Sequence, residues 1–168
     1  MAVDIPQQIV HQNPIFIGET VGQAYVVERM LAAGKFSTVF VARAIHDTKQ
    51  ELVALKVIPI EKGYPTLDKD IAILKIIGGR NHFAKIIGNG THRQHKFIAM
   101  HLLGPTLNDI KHLPQIQKMA IYSVAKIGIQ GLDALSTLHK AGFIHGKISA
   151  QGDFRENIPE QLFREPKD

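Results

Sequence analysis

The chain contains no cysteine, which excludes disulfides and every thiolate metal site. It has no tryptophan, and aromatics make up only 7% of its 168 residues. No apolar run approaches the length needed to span a bilayer. The opening MAVDIPQQIVHQ carries Asp4 and Pro6 where a secretory leader would have positive charge and an apolar block. Cytoplasm or nucleus is therefore the expected location. Between residues 71 and 132 acids nearly vanish: Asp109 stands alone against Lys75, Arg80, Lys85, Arg93, Lys96, Lys111, Lys118 and Lys126. Such a surface suits an acidic protein partner. Its lysines are dispersed and not interleaved with aromatics, which disfavours nucleic acid.

What is present is ordinary for a folded domain: 45% hydrophobic and 21% charged residues. Residues 1–21, with Pro6, Pro14 and Gly18, read as an irregular lead-in. Three runs rich in Val, Ile, Tyr and Phe follow at 25–31, 38–45 and 51–60, separated by the turn-prone AAGKFS and HDTKQ. In the third, Val53, Leu55 and Val57 share one face while Ala54, Lys56 and Ile58 share the other. Lys56 thus projects beside small or apolar neighbours from a central strand, an unusual place for a lysine.

Leu67, Ile71 and Leu74 are spaced as on a helix over 66–77, with Asp68 and Asp70 early and Gly78-Gly79 as a stop. Two strands are expected at 83–87 and 97–103, joined through the turn region GNGTHRQHK. A connector and short helix end near Pro114. A long helix is expected over 115–140, with Ile121, Val124, Gly128, Leu132, Leu135 and Leu138 marking one face. A five-stranded antiparallel sheet with one inserted helix, followed by further helices, is an α+β arrangement.

Four stretches in this order carry a resemblance: VALKV at 53–57, HFAKIIGNG at 82–90, LLGPTL at 102–107 and LHKAGFIH at 138–145. The chain resembles the small lobe and the start of the large lobe of a protein kinase, and more narrowly the casein kinase 1 family with its nematode-type relatives. The resemblance covers about 22–152, with the small lobe at 22–103 and the start of the large lobe at 104–152. The tail 153–168 lies outside it.

That resemblance implies an ATP site and assigns residues to it. The family's loop glycines fall at Ala32, Gly34 and Ser37 in LAAGKFSTV, so Gly34 alone remains, with Phe36 at the loop tip. Leu31, Val39 and Ala54 would enclose the purine. Lys56 would neutralise phosphate charge, held by Asp70 where the family has a glutamate one methylene longer. Met100, His101 and Leu103 would line the adenine edge, with hinge backbone groups making the purine hydrogen bonds.

The catalytic positions have changed. Lys147 stands where the family has its catalytic aspartate, and Gly152 where it has the metal-binding asparagine. A charged lysine accepts no proton and repels magnesium, so the resemblance implies ATP without implying bound Mg2+. Asp153-Phe154 mimics the metal-binding D-F-G, but Arg155 replaces its glycine and it follows Lys147 too closely for the intervening hairpin. No metal site is expected from His92, His95 and His101 either, since no Asp or Glu lies near them in the sequence.

The expected function is a catalytically impaired kinase-like module that retains ATP and acts by occupying a partner. The partner surface would be the 115–140 helix or the basic 71–132 region. The alternative is an active Ser/Thr kinase that uses an unconventional base or is completed by further sequence. A third reading, a decayed chain with no stable fold, is opposed by regular patterning through residue 140. Because the sequence stops at Asp168, the apolar face of the long helix is expected to bind a partner, pack elsewhere or remain exposed.

Overall fold

The computed structural model describes residues 15–34, 36–45, 51–61, 66–80, 82–112 and 119–146. Six strands form one sheet in the order β1-β2-β3-β4-β6-β5. They are β1 (Thr20–Val21), β2 (Tyr25–Ala33), β3 (Thr38–Ala44), β4 (Leu52–Pro59), β5 (Ile86–His92) and β6 (His95–His101). Three helices are described: α1 (Asp68–Ile77), α2 (Leu107–Lys111) and α3 (Ile121–Lys140). The chain divides into two compact units. One holds the residues up to Thr66 together with the hairpin tip Gly90–Phe97, and the other holds Leu67–Asn89 and everything from Ile98 onward.

In the first unit, β1 to β4 form an antiparallel meander. Phe40, Val41 and Ala42 on β3 are all buried, as are Val53, Ala54 and Leu55 on β4. Strands buried on consecutive positions are covered on both faces, which explains why their sequences read as near-continuous apolar runs. The register of β2 against β3 slips between Val27 and Arg29 and again between Met30 and Ala32. Two irregularities so close together increase the local twist of β2 as it approaches its hairpin.

β1 corrects the expectation of an irregular segment through residue 21 and of five strands. Thr20 pairs with Val26 and Val21 with Tyr25. A two-residue strand has no period to detect, so only its partner reveals it. Gly22 turns the chain between the two strands at φ +57°, a conformation that favours glycine. A Cβ there would lie 2.5 Å from the ring of Phe97, which packs edge-on against Tyr25 at 6.0 Å between centroids. Gly22→Ala therefore combines backbone strain with overpacking, and urea unfolding should show a loss of about 2–4 kcal/mol.

The β5–β6 hairpin also departs from the expected pattern. β5 runs on through GNGTH to His92, and β6 starts at His95, so the turn is Arg93-Gln94 and not the whole GNGTHRQHK stretch. Arg93 sits at φ +53° in that turn. Glycines at 88 and 90 suggest a loop when read alone. In the fold, Gly90 lies against Phe97, where a Cβ would meet the ring at 3.1 Å, so close aromatic packing accounts for that glycine within a strand.

The second unit is built around Leu67, Ile77, Ala84, Ile98, Ala99, Ile110 and Leu138, all buried. Helix α1 begins two residues later than expected and carries Asp68 and Asp70 in its first turn. Its end at Gly78 is the expected stop, since a side chain there would collide with the Leu74 carbonyl. Thr106 caps α2 in a reciprocal box: its hydroxyl accepts from the Asp109 N–H at 3.0 Å, and the Asp109 carboxylate accepts from the Thr106 N–H at 2.8 Å.

Helix α3 is described from Ile121; residues 115–118 of the expected helix lie outside the described residues. The face expected to be buried is split. Leu138 is buried, whereas Ile121 is 83% and Leu132 69% exposed, with Val124 also open. Tyr122 and Ile129 add to the same exposed apolar stretch. No helix among the described residues is long and apolar enough to cross a membrane.

Candidate functional site

The site expected from the sequence is distributed over both units. Leu31, Gly34, Val39, Ala54 and Lys56 belong to the first; Asp70, Met100, His101 and Leu103 belong to the second.

In the first unit the strand pairing assembles these residues around one hairpin. β2 continues through Ala32 and Ala33, which pair with Val39 and Thr38 of β3. Only residues 34–37 remain as the connection, closed by a 2.8 Å bond from the Gly34 N–H to the Ser37 carbonyl. Phe36 is exposed there. Val39 pairs in turn with Lys56 on β4, and Val41 with Ala54. Leu31, Val39 and Lys56 are half-buried, while Ala54 is buried. Lys56 is the one cation in a strand whose neighbours Leu55, Val57 and Ile58 are buried. Its stem shares the face of Ala54 and Ile58, both buried, and its ammonium needs a polar interaction to offset desolvation. It has one.

In the second unit, Asp70 lies half-buried in the first turn of α1 and also makes a polar interaction. Met100 and Leu103 are half-buried and His101 is exposed, at the end of β6 and the start of the connector. The His101 N–H donates to the Lys85 carbonyl at 3.0 Å. Lys147 and Gly152 lie outside the described residues, as does Asp153.

The histidines take a different arrangement from the one their spacing suggests. Glu19, from the segment leading into β1, is brought to His92 across 73 residues, with Oε1 2.7 Å from Nε2. The same oxygen is 3.2 Å from Arg93, and Oε2 accepts from the Phe16 N–H at 3.0 Å. Burial alone would raise the Glu19 pKa. The Phe16 N–H, His92 and Arg93 outweigh it and hold the carboxyl below its ordinary value. Sequence reasoning missed this acid because nothing local links it to the histidines. Among the described residues no group of three or more His, Asp or Glu could hold a metal ion.

His95 stands beside this cluster with its Nδ1 buried and without a hydrogen-bond partner. Desolvation, helped by His92 and Arg93 against the opposing Glu61 and Glu19, holds its pKa below the ordinary 6.5. The unfolded chain therefore takes up this proton first as pH falls, and folding loses stability below about pH 6.5. Glu19 adds a further loss only in the carboxylate range. Thermal unfolding measured from pH 7 to pH 5 should show a falling midpoint, and His95→Phe should flatten that limb. A midpoint equally steep in the variant would contradict the assignment.

No protein-family model matches the chain. A Dictyostelium discoideum protein named as a probable serine/threonine-protein kinase is 24% identical over 131 residues, 78% of this chain and 26% of the relative. A Caenorhabditis elegans protein with a serine/threonine-protein kinase name is 28% identical over 141 residues, 81% of this chain and 39% of the relative. Among solved structures, the crystal structure of a kinase domain superposes with a TM-score of 0.73 at 25% identity. It covers 85% of this chain and 42% of that domain's chain. The chain has a protein-kinase-like fold, and these homologues support its place in the protein kinase superfamily. It spans less than half the length of each of these proteins.

Proposed function

We propose that this chain is a catalytically impaired, casein kinase 1-type kinase-like module that binds ATP and acts as a binding or regulatory pseudokinase. The observation that carries the reading is Lys56, half-buried on β4 and paired with Val39 next to the β2–β3 hairpin. In kinase-like folds a lysine on this strand meets the α- and β-phosphates, and a loop over the strands covers them. By the resemblance to kinases, Leu31, Val39 and Ala54 would supply apolar surface for the purine, Asp70 would be the acid that orients Lys56, and 101–103 would supply hinge backbone groups. The single loop glycine, Gly34, leaves the covering loop stiffer than three would.

Phosphoryl transfer is the step the sequence opposes. It needs a carboxylate to orient the attacking hydroxyl and oxygen ligands for magnesium. Lys147 and Gly152 stand at those positions and offer neither. ATP would then bind without turnover. A protein partner would engage the exposed apolar stretch of α3 or the basic 71–132 surface, and the cytoplasm or nucleus would be the site of action.

The kinase names of the relatives favour a second reading, a Ser/Thr kinase with an unconventional base. The two separate on one sample: melting with ATP, with and without magnesium, alongside radiolabelled phosphate transfer to a generic protein substrate. Stabilisation without transfer supports the pseudokinase, and transfer that is lost in Lys56→Met supports the enzyme. An unchanged melting point under every nucleotide condition would refute the ATP site.

A further inference from the structure

A cleft of about 360 Å³ lies within the second unit, lined by Arg80, His82, Lys85 and His101 with Phe83, Leu103 and the backbone of Gly79. None of the lining residues is acidic. None belongs to the β2–β3 hairpin or to β4, so Lys56 takes no part in it, while His101 and Leu103 also stand at the expected adenine edge. Its volume falls in the range of small-molecule clefts.

The local chain is folded so that these nitrogen-bearing side chains line one cleft. Gly79 turns at φ +77° directly after α1, and a Cβ there would lie 3.5 Å from the Lys85 stem, so the stem runs closely past the turn. The turn is closed by bonds from the Arg80 N–H to the Ile77 carbonyl at 3.1 Å and from the Phe83 N–H to the Arg80 carbonyl at 3.0 Å. His82 adopts φ +72°, a left-handed conformation uncommon outside glycine and usually kept only where surroundings hold it. Its Nε2 lies 3.2 Å from the Asp133 carboxylate on α3, which fixes the ring. The His101 N–H bonds to the Lys85 carbonyl, so these two cleft residues share one backbone bond.

We propose that this cleft, through Arg80, His82, Lys85 and His101, binds a phosphate-sized oxyanion, either free phosphate or the phosphomonoester of a phosphorylated side chain. A concave site with cationic walls focuses its field on an anion within it. The Arg80 guanidinium can offer a two-pronged donor to two oxygens, and Lys85 a mobile point charge. Two cations, Arg80 and Lys85, on so small a volume suit one compact anion with several oxygens better than an extended acidic face, with His82 and His101 completing the wall.

The test uses the full, isotope-labelled chain, titrated at constant ionic strength with inorganic phosphate and, separately, with a short phosphoserine peptide and its unphosphorylated twin. Saturable shifts are expected at the amides of Gly79, Arg80, His82 and Lys85. The Arg80→Ala/Lys85→Ala double variant should weaken binding about tenfold or more, consistent with charge-assisted bonds. Lys126→Ala removes the same charge from α3 and should leave binding unchanged. Tighter binding of the phosphopeptide than of inorganic phosphate would assign the anion to a phosphorylated side chain, and equal binding to a free one. Unsaturable shifts scattered over all the lysines, or a folded double variant that binds like the parent, would overturn the proposal.

Discussion

Lys56→Met should erase the nucleotide-dependent rise in melting temperature while leaving the unliganded chain nearly as stable as its parent. At a nucleotide concentration of about 100 times Kd, binding to the native state alone stabilises by roughly 2.7 kcal/mol. For a chain of this size that is a shift of roughly 5–10 °C. The variant keeps the long stem between Leu55 and Val57, both buried, and loses the ammonium. Without ligand, the lost polar interaction and the gained apolar burial oppose each other and leave a difference of about 1 kcal/mol. With ligand, nothing replaces the charge that would meet the phosphates. Calorimetric scans of parent and variant, each with and without ATP, read both quantities. A nucleotide shift that survives in the variant would remove Lys56 from the site.

Phe40→Ala should remove a large share of the chain's stability. Among the described residues Phe40 has the largest of the fully buried side chains, 1% exposed, at the middle of β3. It is paired with Met30 on β2 and Leu55 on β4. Truncating a buried phenylalanine costs about 3–5 kcal/mol in lost transfer energy and cavity. Domains of this kind are stable by only about 5–15 kcal/mol in total. Denaturant titration should show the midpoint falling steeply with little change in slope. Phe40→Leu, which keeps most of the volume, should recover the larger part. If the alanine variant melted like its parent, the burial of β3 on both faces would be wrong.

Period and composition located most elements because each buries its own repeated face. Alternation at 53–58 marked β4, helical spacing marked α1 and α3, and Gly78 marked the end of α1. An α+β arrangement was legible for the same reason, whereas the kinase-like fold rested on resemblance at 53–57, 82–90, 102–107 and 138–145. The unusual setting of Lys56 was legible too, since β4 is so apolar that a single cation stands out. The boundaries of β5 and β6 were not, because glycines at 88 and 90 carry turn signals, and only the packing of Gly90 against Phe97 accounts for a glycine inside the strand.

What the sequence by itself determined was therefore local: which stretches alternate, which coil, and where chain breakers fall. The tertiary structure alone decided which distant residues meet. It recruited Thr20–Val21 as a strand, since a two-residue strand exists only through its partner. It set Glu19 against His92 from 73 positions away, and His82 against Asp133 from 51. It gathered Arg80, His82, Lys85 and His101 around one cleft. The physical reason is range. Propensity and periodicity act over a few residues, whereas ion pairs, clefts and half-buried lysines are set by side chains that only chain folding brings within a few ångströms.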